Sequence, residues 1–445
     1  MKNFILEGHT KVVFGRGCVK EYLASFVEEH GPNVLLAYGG GSVKRSGLYD
    51  EVFRILRRAG KQVVDLPDIP PGPTYEKALE GAGLVQENGI DLILAVGGGS
   101  VLDCCKAVSL AAVCRGDLWA GLWDRRGVVD LSPVPLGAIV TTFGAGGSMN
   151  GCAVLANEAL HVKYGRDHPK CVPVFALMDP AHTLSLPWAQ TVSGGLDAFC
   201  RLMEGYFSYP EEEDLSDDLA EPLMRGMLRA LRALMRDPGS YEARGDLMWG
   251  SALSGSPLIA LGKRTDLPFH RLARLLEEAT GRPYTHCLAV LLPACYRRTC
   301  ERRAARSARF ARQVWEIAPE GRTEAELARA GAEARARFFK ALGLPASLEG
   351  VAGAALERLK ERAAACPFPP SAASRWSPES CRRSSWRAAQ PPPASPGPAR
   401  RRYPHDRGPL AVPGACIQNG SPAADAVGLP FHVPLCCCFP AQILL

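Results

Sequence analysis

At 445 residues the chain is long enough for two or three domains with full cores, and its 47% hydrophobic and 22% charged content is that of a globular protein. The net charge of +6 owes much to an arginine-rich C-terminal region and gives no warrant for a nucleic-acid partner. No run of 18 apolar residues argues for a membrane span, and the opening MKNFILEGHTKVVFG is too polar for a signal peptide, so a cytoplasmic location with no membrane partner is expected. The 16 cysteines show no paired CxxC spacing. Cys104, Cys105, Cys114 and Cys152 fall in elements that read as buried, which predicts reduced core thiols rather than a disulfide frame or zinc knuckle.

In chain order, Val12 to Phe14 reads as a short strand before a Gly-Arg-Gly turn. Val34 to Tyr38 is a buried strand running into Gly39, Gly40, Gly41 and Ser42, then a helical stretch through Arg58. Gln62 to Leu66 is a third strand, stopped by Pro70-Pro71-Gly72-Pro73, and Tyr75 to Asn88 is a helix. The stretch from Asp91 to Lys106, DLILAVGGGSVLDCCK, repeats the strand, glycine turn and helix, with Gly97, Gly98, Gly99 and Ser100 at the turn. Such a turn leaves backbone N–H groups free at the positive end of a helix, where a phosphate is held, and only glycine lets a diphosphate come that close. Pro135 to Thr142 and Val174 to Met178 are two more strands, the first entering FGAGGSMNG. Strands alternating with helices predict a doubly wound parallel sheet with its ligand at the carboxyl ends of the strands.

After Asp179-Pro180 only helical periodicity remains, to about Lys360, including Asp217 to Met235 and Glu324 to Leu342. The expected organisation is an α/β dinucleotide-binding domain over 1–182 and an all-α domain over 183–362. Residues 363–445 form a Pro-, Arg- and Cys-rich tail. The last 80 residues hold 16 of the 36 prolines and no sustained period, which predicts either a disordered tail or the product of a shifted reading frame.

The ordered motifs resemble those of the iron-containing alcohol dehydrogenase family, in its NADP-linked butanol dehydrogenase branch. They are FGRG at Phe14, YGGGSVKRSGLYD at Tyr38, AVGGGSVLDCCKAV at Ala95, TTFGAGGSMN at Thr141, MDPAHTLSLP…TVSGGLDAF…EGY over Met178 to Tyr206, GKRTD…H at Gly262 and HCLAVLLPA at His286. The resemblance implies a Rossmann-like domain followed by a helical one (the dehydroquinate synthase-like fold), a homodimer, and a small alcohol or aldehyde as substrate. It lays the cofactor diphosphate on Gly97 to Ser100, with Asp103 and Lys106 behind it. It also brings Thr141, Thr142 and Lys163 near the nicotinamide. At the adenosine end the first turn carries Ser42, Lys44 and Arg45 where NAD-preferring relatives carry an acid, so NADP(H) is expected, with NAD as the alternative.

The family's metal, Fe²⁺ or Zn²⁺, is held by an Asp, a His four residues later and two further histidines. Asp197, His270 and His286 match three of these positions, but Arg201 stands at the fourth, and a guanidinium has no lone pair to give. Arg274 likewise replaces a common family histidine, and Gly144 to Ser148 lacks the family's Ser and Glu. At i,i+4 Arg201 is expected to pair with Asp197.

Two catalytic readings follow. Asp197, His270 and His286 hold a metal that polarises the substrate oxygen, or the site is metal-free and Arg201 with Arg274 supplies that charge, for instance to an acidic aldehyde. A third reading is a catalytically inactive nucleotide-binding protein. Glycerol dehydrogenase and dehydroquinate synthase relatives, which need the metal more, fit Arg201 less well. A P-loop ATPase is disfavoured because no Lys-Ser/Thr pair follows either glycine turn.

Overall fold

The computed structural model describes residues 10–124, 131–144, 146–208, 214–263 and 268–347. The expected tail over 363–445, and the last stretch of the expected helical domain, lie outside the described residues.

A six-stranded parallel sheet forms the first half. Its strands are β1 (Lys11–Phe14), β2 (Asn33–Gly39), β3 (Gln62–Ile69), β4 (Leu92–Gly97), β5 (Leu136–Val140) and, following a hairpin, β8 (Phe175–Met178), in the order β1-β8-β5-β4-β2-β3. Every neighbouring pair is parallel. The central strands are apolar throughout because helices cover both faces; Leu92 to Ala95 are wholly buried. On one face lie α1 (Cys18–Glu28), the short α2 (Ser42–Arg45) and α3 (Leu48–Arg58), whose Leu23, Val52 and Leu56 share a core with Leu36 and Leu94. On the other lie α4 (Tyr75–Asn88) and α5 (Gly99–Ala111), packed with Leu35, Ile93 and Ala138.

Three features differ from the expectation. The helix expected to run through Arg58 is broken at Gly47, whose φ of 77° ends α2 and restarts the chain as α3. Strand β3 runs three residues past Leu66 to Ile69, taking Pro67 into an edge strand, where the lost N–H faces no neighbour. An antiparallel hairpin, β6 (Cys152–Asn157) and β7 (Val162–Asp167), was not anticipated; it lies against α5. Of the thiols expected in the core, Cys104 and Cys105 are buried and Cys114 and Cys152 half-buried, and all four are free.

The second half is helical: α6 (Trp188–Tyr206), α7 (Leu215–Arg236), α8 (Tyr241–Gly255), α9 (Pro268–Thr280), α10 (Tyr284–Thr299), α11 (Ala304–Gln313) and α12 (Glu324–Ala341). Helix α7 starts with a capping box in which Asp214 accepts from the Asp217 amide and Asp217 accepts from the Asp214 amide. Asp217 also forms an ion pair with Lys263, at 2.8 Å, and accepts from Arg306, at 2.6 Å, which ties the approach to α9 and the start of α11 onto α7. No described helix is long and apolar enough to cross a membrane.

Candidate active site

The turn between β4 and α5 is built from its glycines. A Cβ on Gly97 would stand 2.6 Å from Val101 Cγ2, and one on Gly98 would stand 2.3 Å from Thr142 Oγ1, so neither position accepts a side chain. Gly98 caps α5 in extended geometry, and its carbonyl accepts from Val101 and Leu102. The Gly99 and Ser100 amides are thus left at the open end of the helix. Ser100 Oγ accepts from the Gly72 amide at 3.2 Å, which fixes the Pro70–Pro73 turn beside it. Thr141 donates its amide to Gly97 O at 3.0 Å, aligning the ends of β4 and β5.

A cavity opens here, lined by Gly99, Thr142, Gly144 and Ser148 from the first half and by Met248 and Ser251 of α8. The helices approach closely because glycines stand at the contacts. A Cβ on Gly194 of α6 would lie 2.7 Å from the Phe143 backbone, and one on Gly146 would lie 2.5 Å from Gly255.

The first glycine turn is the one expected to meet the adenosine end of a dinucleotide. Gly39 closes β2, where a Cβ would lie 3.3 Å from Ile69 O, Gly40 has open space, and Gly41 takes φ 82° ahead of α2. Ser42, Lys44 and Arg45 are exposed on that helix. Lys44 stacks over Tyr38 at 5.0 Å and Tyr49 at 4.9 Å, which fixes the stem of the side chain without neutralising its charge.

The polar cluster of the helical half is carried by two helices at the same spacing. Asp197, Arg201 and Glu204 stand at i, i+4 and i+7 on α6; His270, Arg274 and Glu277 do so on α9. His270 is 2% exposed and bridges two carboxylates. Its Nδ1 bonds Glu204, and its Nε2 lies 3.4 Å from Asp197 Oδ1 without a hydrogen bond. Glu204 also accepts from the Phe269 and His270 amides, capping α9 and setting the imidazole ring.

Burial opposes a charge on the imidazole, but Glu204 and Asp197 hold its pKa above the usual value. Burial likewise opposes ionisation of Asp197, and the His270 ring, Arg201 and Arg274 more than offset it, holding the carboxyl below its usual range. Burial and the Asp197 charge push the Tyr284 phenol well above its ordinary value; its hydroxyl is buried without a hydrogen-bond partner.

The expected Asp197–Arg201 ion pair does not form. Asp197 is turned to His270 of α9, and Arg201 Nε is buried with no hydrogen bond, within electrostatic reach of Asp197, Cys152 and Tyr284. Asp103, one turn into α5, feels both Arg274 and Arg201. It accepts from the Val154 amide at 3.2 Å, so it holds β6 to α5. Burial pushes its pKa up to about 6, against the pull of Lys106. Lys106 is itself fully buried and donates to Asn150 Oδ1 and Cys152 O. Lys163, on β7, forms an ion pair with Glu277 at 3.2 Å and reaches the Gly72 turn.

Of the expected metal set, Asp197 and His270 come together and His286, in the first turn of α10, does not join them. Among the described residues no group of three or more His, Cys, Asp or Glu side chains is placed to hold a metal. The residues gathered here do not fit a divalent cation: the side chain beside Asp197 is a permanent cation with no lone pair. Glu204 and Tyr284 are the members sequence reasoning missed. The EGY motif contains Glu204, and its place seven residues after Asp197 on one helix was the available signal. Tyr284 carried none.

Residues 9–180 match the family model for iron-containing alcohol dehydrogenase, and residues 191–370 match that for the C-terminal part of the same family. Among similar proteins, a probable NADH-dependent butanol dehydrogenase of Bacillus subtilis is 33% identical over 345 residues, 78% of this chain and 88% of the relative. The NADPH-dependent aldehyde reductase YqhD of Escherichia coli is 32% identical over 368 residues, 81% of this chain and 93% of the relative. The crystal structure of YqhD superposes with a TM-score of 0.75 at 31% identity, covering 81% of this chain and 92% of that one. The structure of an NADH-dependent butanol dehydrogenase from Thermotoga maritima gives 0.74 at 30% identity, covering 81% and 90%.

Proposed function

The chain belongs to the iron-containing alcohol dehydrogenase family, and we propose from that premise that it reduces small aldehydes to alcohols, and runs the reverse oxidation, with NADP(H). The observation that carries this reading is the open N-terminus of α5. Gly99 at that end lines a cavity shared with α8, and the arginines of α6 and α9 are in electrostatic contact with Asp103 in the next turn of the same helix. A dinucleotide with its diphosphate on those amides brings its nicotinamide towards Thr141 and Thr142 at the end of β5.

A nicotinamide held there would supply the hydride for the carbonyl carbon, and the alkoxide would take its proton from solvent. Arg201 stabilises the developing oxyanion as a fixed, pre-oriented positive charge, and Asp197, His270 and Glu204 hold the surrounding charges in place. No step is assigned to a metal.

Ser42, Lys44 and Arg45 favour the 2′-phosphate of NADP(H). Lys44→Glu is expected to lower kcat/KM for NADPH with butanal by about tenfold or more while leaving that for NADH nearly unchanged, as the loss of a charged contact predicts. An equal fall for both cofactors would overturn the assignment. The free thiols support a reducing compartment such as the cytoplasm, and the family resemblance supports a homodimer.

A further inference from the structure

We propose that this site takes a small aldehyde carrying a carboxylate, with Arg201 and Arg274 as the groups that receive its two oxygen functions. The inference rests on the dehydrogenase reading above and names the substrate class within it. Both guanidiniums stand one turn after a site residue, Arg201 after Asp197 and Arg274 after His270, on two helices that meet where His270 Nε2 lies 3.4 Å from Asp197 Oδ1. Both act on Asp103, Asp197 and Tyr284. Among the described residues neither forms a hydrogen bond or a salt bridge. Arg201 Nε is buried without a hydrogen-bond partner, as is Tyr284 Oη, and His270 Nε2 has only the 3.4 Å ion-pair contact with Asp197.

Buried donors left unmade carry a penalty that a ligand removes by accepting from them. An arginine fork matches a carboxylate in two parallel bonds. A neutral aldehyde such as butanal offers one acceptor to these two cations, whereas 4-oxobutanoate, of the same length, offers a carbonyl and a carboxylate. Arg274, whose Nη1 would lie 3.4 Å from a Cβ on Gly165 of β7, stands by the hairpin and receives the carboxylate. Arg201, next to Asp197, receives the carbonyl oxygen. The chemistry balances as 4-oxobutanoate, NADPH and one proton giving 4-hydroxybutanoate and NADP⁺.

The test uses the full chain loaded with NADPH and two readouts. In the first, butanoate and its neutral isostere butanamide are titrated by calorimetry, before and after dialysis against a chelator. Saturable butanoate binding is expected, absent for butanamide, unaffected by chelator, and weakened about tenfold or more in Arg274→Gln, the size of loss expected for a charged hydrogen bond. Arg274→Lys should recover part of it, and bound NADPH fluorescence with the melting curve verifies that each variant is folded. In the second, kcat/KM for 4-oxobutanoate should exceed that for butanal, and the ratio should collapse in Arg274→Gln. No butanoate binding, binding abolished by chelator, or a ratio indifferent to Arg274 would overturn the proposal. Butanoate bound with neither aldehyde reduced would leave the anion site standing and sink the dehydrogenase reading instead.

Discussion

Asp217 concentrates more of the helical half than any residue in the candidate site. It is fully buried, closes the capping box of α7, pairs with Lys263 and accepts from Arg306. Burial opposes its ionisation, but the Arg306 and Lys263 bonds prevail and hold its pKa below the usual carboxylate range. A depressed carboxylate contributes stability that is fully present above its unfolded-state pKa and is lost as the pH falls through the folded value. The contribution is therefore complete at neutral pH and disappears only in acid. Asp217→Asn takes the buried acid from Arg306 and leaves Lys263 only Asp214, at 3.4 Å, and removing one partner of such a group costs about 3–5 kcal/mol. Denaturant melts at pH 7 should show that loss, and the gap to the parent protein should narrow in acid; a constant gap would mean that Asp217 acts only as a cap. The same scale explains why the expected pairing of Arg201 with Asp197 fails. Helical spacing says which side chains share a face, but it is silent about His270, which comes from another helix and takes the carboxylate first.

At the scale of elements, α5 and its turn were legible because every signal agreed: a continuous apolar strand, three glycines, and a helix behind them. Gly99 separates function from folding there. A Cβ on Gly99 meets no atom within 4 Å, unlike one on Gly97 or Gly98. Gly99→Ala should therefore melt at the parent temperature yet bind NADPH about tenfold or more weakly, since the added methyl stands where the diphosphate approaches the helix end. Fluorescence titration reads the affinity; unchanged binding in a folded variant would move the cofactor off this turn.

The β6–β7 hairpin was not legible. Its second strand, VKYGRD, is polar and only half-buried, and β6 alternates buried and half-exposed positions over just six residues. What holds the pair in place is distant in sequence: Asp103 on the Val154 amide, Lys106 on Cys152 O, and Glu277 on Lys163. Glu204 was hidden for a similar reason. Its role as cap of α9 exists only once α6 and α9 are side by side.

Across the whole molecule, the parallel sheet and the change to helices after β8 follow from period and turn chemistry, and both were readable in advance. The arrangement of the site was not, because it is made between elements. Gly194 of α6 admits the Phe143 backbone, Gly146 admits the end of α8 at Gly255, and α6 and α9 bring Asp197 and His270 together. On the function proposed above, this arrangement moves a hydride from a nicotinamide to an aldehyde carbon. The most direct measurement supplies NADPH deuterated at the transferable position, with butanal and with 4-oxobutanoate, and reads the product alcohols by mass spectrometry. One deuterium on the carbinol carbon is expected for each cofactor oxidised. Cofactor bound with no labelled alcohol from either aldehyde would contradict it.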